Sequence, residues 1–197
     1  MHKLFCLMGK SASGKDTIFR SLLLDESLGL HRVIPYTTRP IREGEENGRE
    51  YYFVSPEQFE RFRTEGKILE QRCYDTVYGL WHYFTADDGQ IDLSSYSSLM
   101  IGTPQAFVSI RECFGVDNVI PVCVRVEDGE RLLRAVQRER REEKPRYDEL
   151  CRRFLADQED FSKKRLLSCG VTNFFDNTDL DTCIREIADF IRKKTRA

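Results

Sequence analysis

The chain has no surplus of positive charge. Its 31 lysines and arginines stand against 33 aspartates and glutamates, a formal net charge of −2. Broad binding of nucleic acid or anionic membrane needs a basic surface or a clear basic face, so neither is expected as a partner. Histidine is scarce, three residues in all. His2, His31 and His82 lie far apart, which argues against a histidine metal centre or proton relay. Long apolar runs are missing too. The first, Leu4 to Met8, ends after a handful of residues, too short for a signal peptide, and none that follows could span a membrane. Seven cysteines, Cys6, Cys73, Cys113, Cys123, Cys151, Cys169 and Cys183, are odd in number and form no C-x-x-C pair. Scattered reduced thiols fit a cytoplasmic protein. There is no internal repeat or low-complexity segment. What remains is a 197-residue chain, 40% hydrophobic and 32% charged, a composition that suits one globular domain.

Apolar runs at Leu4–Met8, Ser98–Ile101, Val119–Val124 and Val171–Phe175 read as buried strands. Helical spacing lies between and after them: Ile18 to Leu24, Phe107 and Ile110 after Pro104, Leu132, Leu133 and Val136 from Glu130, and Ile184, Ile187, Ala188 and Ile191 near the end. Alternating strands and helices predict an α/β fold with a central parallel sheet between helix layers. Residues 33–84 break that alternation and read as an inserted lobe with short strands such as Glu50 to Val54. Within it, Ser55-Pro56-Glu57-Gln58 carries an N-cap, a first-turn proline and a capping-box glutamine, predicting a helix with Phe59 and Phe62 that stops by Gly66. Residues 137–153 crowd arginines around Lys144-Pro145, ahead of a helix from Tyr147 to Phe161. The core is then 1–32, 85–136 and 154–197.

One stretch carries chemistry outright. Gly9-Lys10-Ser11-Ala12-Ser13-Gly14-Lys15-Asp16-Thr17 follows a strand and opens a helix, the context that gives G-x-x-x-x-G-K its meaning. Backbone N–H groups of Ser11, Ala12, Ser13 and Gly14 and of the helix start would face a polyanion. The glycines let the backbone approach, and Lys15 would reach the outer phosphates of ATP. The usual Ser or Thr after the lysine, a Mg²⁺ ligand, is here Asp16, with Thr17 one place later. The metal position is left open between Asp16 and Thr17.

Downstream, Thr37-Thr38-Arg39-Pro40-x-Arg42-x-Gly44-Glu45-x-x-Gly48-x-x-Tyr51 sets two guanidinium forks near a tyrosine, a pattern suited to phosphate. Together with the loop, this block, running on through Phe53-Val54-Ser55, resembles the guanylate kinase family over nearly the whole chain. The resemblance implies a P-loop core that binds ATP, an inserted lobe that binds GMP, and an arginine-bearing lid. Arg39, Arg42, Tyr51 and Tyr78 would hold the acceptor phosphate. Glu70 would accept hydrogen bonds from guanine N1–H and the exocyclic amine. Arg138, Arg140 or Arg141, with Arg152 or Arg153, would neutralise the transferred phosphoryl group, and Asn177 would lie beside the adenine. Mg²⁺ accompanies ATP, and the protein would be a monomer or homodimer.

Besides Asp16, the chain departs from the family at three places. Pro35 and Leu80 stand where family serines help to read guanine, and Gly102-Thr103-Pro104 stands where an aspartate is expected. Asp16 and the missing aspartate resemble the related ribose 1,5-bisphosphate phosphokinase instead, although the Thr37–Ser55 block is closer to the GMP lobe. Guanylate kinase-like modules of scaffold proteins bind peptides without chemistry, and they have generally lost the working phosphate loop that this chain keeps.

Overall fold

The computed structural model describes residues 1–42, 44–76 and 79–196, without the Thr76 side chain. Its elements in chain order are β1 (Leu4–Met8), α1 (Lys15–Leu24), β2 (Leu30–Arg32), β3 (Tyr36–Thr37), β4 (Tyr52–Phe53), α2 (Pro56–Thr64), β5 (Ile68–Thr76) and β6 (Gly79–Ala86). There follow β7 (Ser97–Ile101), α3 (Pro104–Phe114), β8 (Val119–Arg125), α4 (Asp128–Glu139), α5 (Tyr147–Asp160), α6 (Lys163–Ser168), β9 (Phe174–Asp176) and α7 (Leu180–Arg196). Five strands form a parallel sheet in the order β2-β7-β1-β8-β9.

Every residue of β1 is buried, as a central parallel strand requires. Its side chains alternate between two cores. Phe5 and Leu7 pack with Ile18 and Leu22 of α1 and Ile187 and Ile191 of α7. Leu4, Cys6 and Met8 pack with Phe107 and Ile110 of α3 and Leu166 of α6. Helices thus cover both faces, giving the expected three-layer α/β/α arrangement with a central parallel sheet.

A second sheet, β4-β3-β6-β5, grows from residues 36–86. The long strands β5 and β6 pair antiparallel, with a register shift between Ile68 and Glu70. Helix α2 closes one side by inserting Phe59 against Phe84, ring centroids 5.2 Å apart, beside Tyr36 and Phe62. Its start is the capping box expected: Ser55 accepts from Gln58 N, and the Gln58 side chain accepts from Ser55 N. Such a cap stabilises by about 1 kcal/mol.

Three expectations need correction. The last strand begins at Phe174 rather than Val171, because α6 ends in a Schellman turn that uses Val171. There Val171 N bonds Leu166 O at 2.9 Å and Gly170 N bonds Leu167 O at 3.0 Å. Helix α4 starts at Asp128, capped by Glu127, whose side chain accepts from Glu130 N. Its Leu132 and Leu133 lie exposed, while Arg131, Ala135 and Glu139 form the buried face. The helix turns a polar stripe inward because it packs on the phosphate loop and on α5 rather than on an apolar core.

Candidate active site

The strands β1, β7, β8 and β9 are parallel, so their carboxyl ends share one edge. The loops that leave that edge hold the chemistry, the usual place for a ligand in an open α/β sheet. Residues 9–14 connect β1 to α1. Gly14 caps the helix at φ 84°, and a Cβ there would stand 2.4 Å from Asn177 Nδ2. At Gly9 a Cβ would meet Ser13 Oγ at 2.7 Å and Val124 O at 2.8 Å. Only glycine admits so tight a loop. Ala12 is held at φ 61°, a left-handed conformation that costs about 1–2 kcal/mol for a residue with a Cβ. Ser13 Oγ is buried with no hydrogen-bond partner among the described residues. A strained, glycine-lined loop with an orphaned hydroxyl is the cradle that phosphate oxygens fit.

Side chains from distant elements brace this cradle. Asn177, expected beside adenine, is buried and donates from Nδ2 to Ser13 O at 2.8 Å. Lys10 Nζ donates to Asp128 at 3.1 Å and to Gln158 Oε1 at 2.8 Å. Ser11 N donates to Asp157 Oδ2 at 2.7 Å. At the centre lies Arg131, 1% exposed, which donates to Asp128 Oδ1 from Nε at 3.0 Å and Nη2 at 2.9 Å. Its Nη1 donates to Ser11 O at 2.9 Å and to Asp157 at 3.3 Å, and its guanidinium lies 4.7 Å over Phe154. Burial pushes the Asp128 carboxyl up, but hydrogen bonds from Gln158, Arg131 and Lys10 outweigh it and hold the pKa down to about 2.

Arg131, Asp128 and Asp157 were missed in the sequence. A helical row of Arg131, Ala135 and Glu139 was the available signal, hidden because arginines on a helix usually face water. Of the expected lid arginines, Arg138 and Arg153 line one small cleft with Ser11, Arg131, Leu150 and Phe154. Arg153 Nε there is buried without a hydrogen-bond partner among the described residues. Arg152 is bound by Glu149 at 2.7 Å through both Nε and Nη2, while Arg140 and Arg141 are exposed past the end of α4 and do not line that cleft.

The first helical turn presents Lys15 and Asp16, 3.3 Å apart, with Asp16 and Thr17 exposed. Among the described residues no group of three or more His, Cys, Asp or Glu could hold a metal ion. Mg²⁺ needs no such group when it arrives with nucleotide phosphates and takes one or two protein oxygens, and Asp16 and Thr17 fit that mode.

On the second sheet, Arg39 is buried and bound to Glu45, Nη1 to Oε2 at 2.7 Å and Nη2 to Oε1 at 2.5 Å. It lies 5.3 Å over both Tyr51 and Phe53. The hydrogen bond from Arg39 keeps the Glu45 carboxyl low, against a smaller opposing effect of burial. Arg42 is exposed, and its backbone N bonds Glu45 Oε2 at 2.9 Å. Burial raises the Tyr51 hydroxyl pKa; next come the charges of Tyr83, Arg72 and Arg39 and then that of Asp16 on the opposite loop. Glu70 is buried and bound by Arg72 and by Thr85 Oγ1. Tyr78 lies outside the described residues. Gly102, at the end of β7, leaves no space for a Cβ, which would stand 2.8 Å from Cys6 Sγ.

Fold and loop together define a P-loop α/β protein carrying a second, four-stranded sheet. Comparison narrows the class. Residues 1–82 match the family model described as guanylate kinase. The guanylate kinase of Porphyromonas gingivalis is 42% identical over 85 residues, 43% of this chain and 44% of that protein. That of Wolbachia pipientis wMel is 28% identical over 197 residues, 97% and 90% of the two chains. The local matches span less than half of the relatives' own length, 44% and 36% for the first two. The crystal structure of guanylate kinase from Anaplasma phagocytophilum shares the fold, with a TM-score of 0.67 at 19% identity over 98% of this chain and 86% of that one. The chain is similar to guanylate kinases, and the part that matches their family model is residues 1–82, from the phosphate loop into the second sheet.

Proposed function

We propose that the protein transfers the γ-phosphoryl group of ATP to GMP or dGMP, yielding ADP and GDP or dGDP. The observation that carries this reading is a strained glycine loop holding the unpartnered Ser13 hydroxyl just ahead of Lys15, together with a buried Arg39 stacked over Tyr51 on the second sheet. Gly9, Ser11, Ala12, Ser13, Gly14, Lys15, Asp16 and Thr17 bind the triphosphate, with Asn177 holding the loop in shape. Arg39, Arg42, Tyr51 and Tyr78 take the acceptor phosphate, and its base lies toward Glu70. Arg39 can exchange the Glu45 carboxylate for a phosphate because both suit its planar fork. Residues 137–153 act as the lid, bringing Arg138, Arg141 and Arg153 toward the reacting phosphoryl group as residues 33–84 close from the other side.

Catalysis is positioning and charge neutralisation, and no side-chain base is needed since the acceptor phosphate oxygen is already anionic near neutral pH. Mg²⁺, held by Asp16 and Thr17, would neutralise charge on the β- and γ-phosphates. Lid closure keeps water from taking the phosphoryl group, so ATP hydrolysis without acceptor should be slow. The same reading makes the protein cytoplasmic, a monomer or homodimer, with ATP and a nucleoside monophosphate as its ligands.

An ADP-release assay with GMP, dGMP, AMP, UMP, CMP and ribose 1,5-bisphosphate tests the reading. Turnover with GMP and dGMP is expected. Turnover with ribose 1,5-bisphosphate alone would make this a sugar-phosphate kinase, and ATP binding without turnover on any acceptor would make it a binding module.

A further inference from the structure

Glu70 and Arg72 lie two residues apart on β5 and therefore share one face of the sheet. The Glu70 side chain is 2% exposed. Its carboxylate already accepts from Arg72 Nε at 3.3 Å, Arg72 Nη2 at 3.4 Å and Thr85 Oγ1 at 2.9 Å. Arg72, with its side chain 22% exposed, is the member of the pair that reaches open space. It lines a cleft of about 280 Å³ with Tyr74, Thr103, Gln105, Asp160 and Arg165. That volume lies just under the range of about 300–1,000 Å³ usual for small-molecule sites. A guanidinium has five N–H donors and spends two of them on Glu70, so donors remain for a ligand, whereas the carboxylate has little left to offer.

Two further observations define that ligand. Tyr83, paired with Arg72 across β5 and β6, has its ring 5.5 Å from Tyr74 of the cleft and 5.6 Å from Tyr51, over which Arg39 lies, so the cleft adjoins the acceptor-phosphate cluster. Each positive charge in the cleft also has its own carboxylate, Glu70 for Arg72 and Asp160, at 3.7 Å, for Arg165. A cleft without excess positive charge is ill suited to a second phosphate and well suited to a neutral edge that presents acceptors.

We propose that Arg72 is the specificity-determining contact of the acceptor site, its fork donating to the O6 and N7 edge of guanine, while Glu70 acts through it as a positioning residue. This rests on GMP phosphorylation and replaces the expectation that Glu70 itself reads N1–H and the exocyclic amine. The 2-amino group then goes unread. IMP keeps O6 and N7 and lacks that amine, so it should serve nearly as well as GMP, whereas AMP presents a donor where Arg72 needs an acceptor.

The test is kcat and KM for GMP, IMP, AMP and ribose 1,5-bisphosphate with the wild-type chain, Arg72→Lys and Glu70→Gln. We expect IMP within about threefold of GMP in kcat/KM, and AMP poorer by roughly a hundredfold. Arg72→Lys retains charge and strand packing but loses the fork, so KM for GMP and IMP should rise together by about tenfold or more with kcat little changed. Glu70→Gln should raise both KM values in parallel. IMP falling a hundredfold or more below GMP, a GMP-selective loss in Glu70→Gln, or unchanged KM in Arg72→Lys would overturn the role of Arg72 while leaving the kinase reading in place. Turnover with ribose 1,5-bisphosphate alone would overturn both.

Discussion

Replacing Arg131 by Met deletes the guanidinium that joins α4 and α5 to the phosphate loop while keeping a stem to pack on Phe154. Deleting one partner of a buried ion pair costs about 3–5 kcal/mol, because the other charge is left without compensation. Asp128 is 42% exposed and largely screened, so its share is small, whereas Asp157 at 16% and the Ser11 carbonyl lose real partners. The net cost is then about 2–3 kcal/mol. In a chain of 197 residues, each kcal/mol moves Tm by about 2–4 °C, so a fall of roughly 4–12 °C is expected by calorimetry. Combining Arg131→Met with Asp157→Asn should cost less than the sum of the single changes, since both remove one interaction. A shift below about 2 °C, or strict additivity of the two substitutions, would refute the claim that this arginine holds the loop.

Other outcomes follow from the same geometry. Lys15→Met should leave the melting temperature nearly unchanged and lower kcat by a factor on the order of 10²–10³ or more, read by ADP release; near-normal turnover contradicts its assignment. Gly14→Ala drives a Cβ toward Asn177 Nδ2 at a positive φ, so ATP affinity should fall at least tenfold by calorimetric titration, with a stability loss of about 1–2 kcal/mol. Asp128 has a folded pKa of about 2, below its unfolded value of about 3.9. Its contribution to stability is full above about pH 4 and is lost as pH falls through about 2. Urea melts over that window should show a smaller loss on acidification for Asp128→Asn than for the wild type.

How legible the molecule was depended on how local each signal is. The strand, loop and helix from Leu4 to Leu24 could be read because an apolar run, two glycines and a lysine lie within one short segment. The capping box at Ser55 was equally local. Arg131 was not legible, because its partners Asp157 and Ser11 arrive from α5 and the phosphate loop, and nothing in the order of residues around Glu130 distinguishes a buried arginine from a solvated one. The neighbouring leucines misled for the same reason: apolar spacing on α4 suggests an inward face, yet the helix has a polar surface to cover. Glu70 was read as a base contact rather than as half of an ion pair, although strand alternation puts Arg72 on the same face and brings the guanidinium into reach of the carboxylate.

Gly102 and Cys6 are in effect one feature. Any side chain added at the tip of β7 would collide with the sulfur on the adjacent strand, so an acid cannot be introduced there by a single substitution without displacing part of the interior. Cys6 would have to shrink first, and shrinking it alone would open a void. The two positions therefore constrain each other, and a side chain at 102 can be accommodated only together with a change at 6.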